Sequence, residues 1–178
     1  MAGLICGFFG YQRSGKTLLA YLIATSLHDD MKMDVYTNMK VPGWITIKSL
    51  SEIPLDYKPK VLLLDECYYF LDSRNWSDNT SASIFINTIG KQNILLLYSS
   101  ISPEMIDKRL REQSNYVFMA KKSNGYISYK LLDCIRNKSK ILRLDTKTFD
   151  WSKVKYNTLE VPDYIEVKFK TFNRTRLG

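Results

Sequence analysis

The sequence is poorest in histidine and thiols, and each shortage removes a class of chemistry. One histidine, His28, stands among 178 residues, so a serine–histidine triad and a histidine-rich zinc site are both excluded. The three cysteines, Cys6, Cys67 and Cys134, lie far apart with no C-x-x-C pair, which predicts reduced thiols and no metal knuckle. Cys6 and Cys67 fall in or just after apolar runs and read as small buried hydrophobes. Long apolar runs are absent too. Val61–Leu64 and Ile94–Tyr98 are far short of the ~20 residues a membrane helix needs. The N-terminus has no basic lead or small-residue cleavage site, so the expected setting is cytoplasmic. Internal repeats and low-complexity segments are likewise missing, and the length suits one domain over residues 1–178.

Acidic residues are also scarce. Lys and Arg number 26 against 18 Asp and Glu, a net charge of +8 that is most pronounced after residue 100. Such a balance points to a polyanionic partner, either nucleic acid or an anionic membrane face.

What is present is concentrated near the start. Gly10-Tyr11-Gln12-Arg13-Ser14-Gly15-Lys16-Thr17 is a G-x-x-x-x-G-K-T loop, with Leu4–Phe9 strand-like before it and Thr17–His28 helix-like after it. The two glycines allow a turn tight enough to aim successive N–H groups at phosphates, and the helix N-terminus favours the anion. Lys16 is expected on the β- and γ-phosphates, and the Thr17 hydroxyl on magnesium. Residues 10–18, from Gly10 to Leu18, therefore predict binding of a nucleoside triphosphate with Mg2+; that it is ATP is what the resemblance described below implies.

A second feature narrows the chemistry. The apolar run Val61–Leu64 ends in Asp65-Glu66, at the carboxyl edge expected of a central parallel strand. Asp65 is expected to hold the magnesium shell, and Glu66 to orient and deprotonate the attacking water. Ile94–Tyr98 ends in Ser99-Ser100, placed to sense the γ-phosphate. Arg109, Arg111 and Arg74 are candidates for a charge supplied from a neighbouring subunit, and Arg13 for a contact from within the loop.

Elsewhere the pattern predicts strands at 34–38 and 44–47, and a turn or short helix at 51–54. A helix at 81–90 should bury Ile84, Phe85, Thr88 and Ile89, and the helix after the phosphate loop should carry Leu18, Leu19, Leu22 and Ile23 on one stripe. Ser102-Pro103-Glu104 opens a further helix running to about Glu112. Beyond 116 the chain turns β-rich: 116–120 and 126–132 flank Ser123-Asn124-Gly125 as a hairpin, followed by runs at 140–144, 154–156 and 164–168. The organisation expected is α/β, with a core over about 1–120 and a β-rich extension over about 116–170.

The series GYQRSGKT, VYTN, VLLLDECYYFLDSR, ILLLYSSIS and IDKRLREQSNYVF resembles the FtsK–HerA superfamily of DNA-pumping ATPases. It is most similar to small viral and plasmid members, genome-packaging ATPases and Zot-like phage assembly proteins, over residues 1 to 120. KYNTLE, residues 155–160, is similar to a segment that often closes the domain. The resemblance implies a RecA-like core with a mainly parallel sheet and a homo-oligomeric ring, commonly a hexamer. It further implies ATP hydrolysis at subunit interfaces and DNA in a central channel. It assigns Lys16 and Thr17 to nucleotide and magnesium, Asp65 and Glu66 to metal and water, and an arginine near 109–111 to the neighbouring site. Many members carry glutamine where this chain has Ser99 and Ser100. Zot-like members usually continue into a transmembrane helix, whereas this chain stops at Gly178, which favours a soluble packaging motor in a host cytoplasm that docks on a capsid, portal or membrane partner. The alternatives are a Zot-like assembly or extrusion ATPase and a phosphate-loop nucleotide kinase. Lys121, Lys122, Arg136, Lys138 and Lys140 are expected to supply sequence-independent contacts to DNA phosphates.

Overall fold

A computed structural model describes residues 3–69, 71 and 80–167, with side chains throughout except at 80–82. Arg74, with the whole Asp72-Ser73-Arg74 triplet, and the arginines at 174 and 176 lie outside the described residues.

One eight-stranded sheet organises the described residues, in the order β3-β2-β4-β5-β1-β6-β7-β8. The strands are β1 (Leu4–Phe9), β2 (Asp34–Thr37), β3 (Ile45–Thr46), β4 (Lys60–Leu64), β5 (Ile94–Ser100), β6 (Tyr116–Ser123), β7 (Tyr126–Asp133) and β8 (Lys138–Asp145). From β3 through β6 every neighbouring pair is parallel; β6–β7 and β7–β8 are antiparallel. The mainly parallel α/β core expected from the motifs is present.

The continuous apolar runs are explained by burial on both faces. All five residues of β4 are buried, and six of the seven in β5. Helix α1 (Lys16–Met31) lies on one face and α2 (Thr80–Lys91) on the other, so each face has its own core. In α1 the residues most deeply buried are Leu18, Ala20, Tyr21 and Ala24, not the expected stripe of Leu18, Leu19, Leu22 and Ile23; the last three are half-buried at its flanks. Two small alanines one turn apart let the helix axis approach the strands, and Tyr21 fills the space beside them. In α2, Phe85, Ile86 and Ile89 are buried, Ile86 taking the place expected of Ile84.

The expected helix from Ser102 to Glu112 is broken. Ser102 caps a single 3-10 turn over Pro103–Met105, and α3 is only Lys108–Glu112. Between them Ile106 is extended and fully buried, while the Asp107 N–H donates to the Leu71 carbonyl. Burial of Ile106 and that long-range bond outweigh one more helical turn, and the Asp107 side chain then caps α3 at Arg109 N. Residues 154–156 are not a strand; they follow a 3-10 turn at Trp151–Lys153. Of the run at 164–168, Glu166 forms an isolated bridge to Ser49, and 168 lies outside the described residues. The hairpin around Ser123-Asn124-Gly125 forms as expected, with Gly125 at φ 84°.

Candidate functional site

The site is built at the carboxyl ends of β1, β4 and β5, where parallel strands stop and their side chains face a common edge. Gly10 leaves β1 at φ 150°, and Gly15 enters α1 at φ 94°. Each is confined by close neighbours as well as by torsion. A Cβ on Gly10 would lie 2.5 Å from Ser14 Oγ and 2.6 Å from the Ala120 carbonyl. On Gly15 it would lie 2.9 Å from Ile127 Cδ1 and from the Tyr129 hydroxyl. That hydroxyl donates to the Gly15 carbonyl at 3.0 Å, so the β6–β7 hairpin buttresses the loop from behind. Tyr11 stands 84% exposed at the loop tip, outside the cavity that Gln12 and Arg13 line. Arg13 itself is held at φ 60°.

Asp65 and Glu66 follow one another directly after β4, where a continued strand would send them to opposite faces. Glu66 instead adopts φ 47°, and the chain turns at once into a 3-10 turn over Cys67–Tyr69. Both carboxylates consequently reach the loop. Thr17 Oγ1 donates to Asp65 Oδ1 at 2.7 Å, and Lys16 Nζ lies 3.5 Å from Glu66 Oε1. The second Glu66 oxygen accepts from the Tyr68 hydroxyl at 3.0 Å. Burial pushes the Asp65 carboxyl above the ordinary carboxylate range, while Ser99, Thr17 and Lys16 pull it back down.

The two serines ending β5 part company. Ser99 Oγ donates to Asp65 Oδ1 at 2.5 Å and accepts from the Glu66 N–H at 2.9 Å, so it fixes the turn carrying both carboxylates. Ser100 points to the other face and closes a local turn onto the Ser102 carbonyl. The expectation that both reach the γ-phosphate therefore fails for Ser100, through strand alternation, and for Ser99 both polar contacts go to the turn.

The two arginines also differ. Arg109 folds back on its own chain, bonding Asp107 through Nε and Nη2 at 3.0 and 3.1 Å and Ser83 through Nη1 at 2.6 Å. Burial pushes the Asp107 carboxyl up, yet its bonds to Arg109 hold it below the usual range. Arg111, half-exposed on the same helix, makes no side-chain hydrogen bond or ion pair among the described residues.

One residue that sequence reasoning passed over joins the site. Asn38, just after β2 and 1% exposed, clasps the Asp65 backbone: Nδ2 donates to its carbonyl and Oδ1 accepts its N–H, each at 2.9 Å. Its signal was an amide side chain directly after a buried parallel strand, at the carboxyl edge where the site lies.

A cavity of about 540 Å³ opens over these groups, lined by Lys16, Thr17, Asp65 and Glu66 on one side and by residues 156–162 on the other. The residues present fit a magnesium-bound triphosphate. Ser14 Oγ is buried inside the loop with no hydrogen-bond partner, an arrangement that costs about 1–3 kcal/mol unless a ligand satisfies it. Thr17 and Asp65 present a hydroxyl and a carboxylate 2.7 Å apart, the oxygen donors magnesium takes. Among the described residues no cluster of three or more His, Cys, Asp or Glu side chains occurs.

The predicted DNA-contacting cations are not one patch. Lys121 and Lys122 pair with Ser128 and Ile127, so they face opposite sides of the sheet, and Lys122 lines the nucleotide cavity. Arg136 and Lys138 sit at the far end of the hairpin: Lys138 pairs with Asp133 and Lys121 with Ser128, positions about 17 Å apart along β7 at the usual strand rise. Lys121, Lys130 and Arg143 instead share the face of β6–β8 turned away from α1, with Met119, Tyr126 and Ile141 exposed between them. Among the described residues no helix is long and apolar enough to cross a membrane.

No protein-family model and no curated protein sequence matches the chain. Solved structures do. The N-terminal domain of zonular occludens toxin from Neisseria meningitidis superposes with a TM-score of 0.58 at 20% identity, covering 83% of this chain and 97% of that one. The genome-packaging NTPase B204 from Sulfolobus turreted icosahedral virus 2, in complex with ATP-gammaS, gives 0.62 at 11% identity, covering 77% and 95%. The DNA-packaging ATPase B204 from Sulfolobus turreted icosahedral virus gives 0.58 at 14% identity, covering 79% and 98%. At these identities the likeness is one of fold: the chain has the α/β fold of these phosphate-loop proteins.

Proposed function

We propose that this protein is an ATP-hydrolysing, DNA-translocating motor of the genome-packaging kind, working as a homo-oligomeric ring. One observation carries the ATPase reading: Lys16, Thr17, Asp65 and Glu66 converge across the loop, with Thr17 on Asp65 at 2.7 Å and Lys16 on Glu66 at 3.5 Å. Lys16 and the loop amides bind the phosphates, and Ser14 Oγ gains the partner it lacks. Thr17 and Asp65 would hold magnesium, which when bound neutralises charge developing between the β- and γ-phosphoryl oxygens. Glu66, with one oxygen toward Lys16 and the other accepting from Tyr68, is the carboxylate placed to accept a proton from water once Lys16 moves from it to phosphate as nucleotide arrives. Ser99 and Asn38 hold this turn rigid from behind.

Support for the DNA part comes from the net charge of +8 and from the basic face carrying Lys121, Lys130 and Arg143, exposed among the described residues. The NTPase and ATPase neighbours named for genome packaging point the same way. Arg111 is the residue of the predicted pair left available for a neighbouring subunit's site. The zonular occludens toxin neighbour favours a second reading, an assembly or extrusion ATPase docked on a membrane partner, with the same site chemistry.

The test is steady-state ATP hydrolysis by the purified chain across protein concentrations, with and without long double-stranded DNA. Rates per subunit rising with both are expected. Turnover indifferent to both would remove the motor and leave the nucleotide site.

A further inference from the structure

Resting on the nucleotide reading above, we propose that the segment 156–162 is the nucleoside subsite, and that it holds the base by apolar contact from Leu159 and Val161. The first argument is topological. Tyr156 packs in the core on the α1 face of the sheet, and Ile165 is fully buried in the core on the α2 face. The chain between them must therefore cross from one face to the other. It crosses at the carboxyl edge of β2 and β4, directly over the site.

Both ends of the crossing are fastened. Before it, the Tyr21 hydroxyl donates to the Lys153 carbonyl at 3.0 Å and accepts the Lys155 N–H at 3.2 Å, and the Tyr156 ring lies 4.9 Å from that of Tyr21. After it, the Asp163 N–H donates to the Asn38 carbonyl at 3.0 Å, and Asn38 Nδ2 donates to the Asp163 carbonyl at 3.3 Å. Asn38 thus ties the end of the crossing segment to the same Asp65 backbone that it clasps. A Lys40–Glu160 ion pair at 2.8 Å adds a lateral tie. The segment is a strap, not a tail.

The second argument is size and chemistry. The strap forms one wall of the 540 Å³ cavity whose opposite wall is the phosphate loop, within the range of small-molecule sites. Phosphates at Gly15–Thr17 leave the nucleoside the remaining space. There the strap offers Leu159 and Val161, 80% and 71% exposed, with Leu18 and Met39 on the same lining. Two of its polar side chains are already engaged: Asn157 Oδ1 accepts the Leu159 N–H, and Glu160 holds Lys40. Apolar contact tolerates either purine, because discrimination needs committed polar partners at the base edge.

The experiment titrates the full chain with ATP, GTP and inorganic tripolyphosphate, each with magnesium, for the wild type and for Leu159→Ser/Val161→Ser. Both positions are exposed, so the fold is expected to stand, checked by an unchanged melting temperature. The double variant should bind ATP about tenfold more weakly and tripolyphosphate as before, and wild type should bind GTP within about threefold of ATP. Unchanged ATP affinity, equal losses for ATP and tripolyphosphate, or GTP rejected by a hundredfold or more would each overturn the subsite. Lys16→Ala separates the two readings, because it should lose tripolyphosphate as well; a wild type that binds neither ligand overturns the nucleotide site and the strap together.

Discussion

The parallel half of the sheet and its antiparallel extension are built from the same residue types yet use them in opposite ways. In β4 and β5 apolar residues are consecutive, because helices cover both faces, and polar residues wait for the strand ends. In β6 and β7 burial alternates: Phe118, Ala120, Ile127 and Tyr129 face α1, while Met119, Lys121 and Lys130 face outward. The difference teaches where this molecule can do chemistry. A strand buried on both faces can present function only at its end, and the phosphate loop, Asp65, Glu66 and Ser99 all sit there. A strand buried on one face can present function along its length. Contact between the halves is narrow at the site, where Tyr129 and Ile127 press against Gly15.

The largest break in this comparison should come from the parallel half. Glu66→Gln is expected to keep ATP binding and lose about 10²–10⁴ in hydrolysis rate, read by single-turnover kinetics beside a binding titration. Next is Lys16→Ala. Removing a hydrogen-bonding charge from the phosphates costs about 1.5–3 kcal/mol, so nucleotide affinity should fall roughly 10- to 150-fold. A binding curve matching wild type would mean that the loop holds no phosphate.

The junction comes third. Gly15→Ala adds a methyl 2.9 Å from Ile127 and Tyr129 at φ 94°, and should destabilise the fold by about 1–3 kcal/mol as well as weakening nucleotide. Tyr129→Phe removes only the bond to the Gly15 carbonyl and should cost about 0.5–1.5 kcal/mol in chemical denaturation. If Tyr129→Phe weakened nucleotide as much as Gly15→Ala does, the hairpin would be part of the site and not its buttress.

The smallest effect expected on nucleotide chemistry belongs to the extension's outer face. Lys121→Ala/Lys130→Ala should leave hydrolysis without DNA unchanged and reduce the slope of log affinity for DNA against log salt by about 0.9 per lysine. An unchanged slope would move the DNA contact off this face. Thiol labelling sharpens the same contrast at no cost to the fold. Burial pushes Cys6 up to about 12 and Cys67 well above its ordinary value, whereas Cys134 is exposed beyond β7. One thiol per native chain should react at neutral pH, because the thiolate is the nucleophile.

Much of the site was legible because its signals are local. A glycine whose φ must be positive, a lysine and threonine opening a helix, and two acids ending an apolar run each announce themselves within a few residues. What stayed illegible depended on partners distant in sequence. Arg109 looks like an exposed helical cation until Ser83, 26 residues earlier, joins its neighbour Asp107 in claiming it. Ser99 and Ser100 look equivalent until the strand assigns them to opposite faces. The helix at 102–112 looks continuous until Ile106 is drawn into the core and Asp107 bonds Leu71.

Sequence alone determined that a phosphate-binding turn joins a strand to a helix, that a carboxylate pair ends a doubly covered strand, and that a hairpin closes the β-rich part. These follow from torsional preference and hydrophobic period, which act over a few residues. Tertiary structure alone decided that Glu66 turns back toward Lys16, that Asn38 clasps Asp65, and that residues 156–162 pass over the site. Each rests on a hydrogen bond or packing contact between elements tens of residues apart, and only the closed sheet brings those elements within reach.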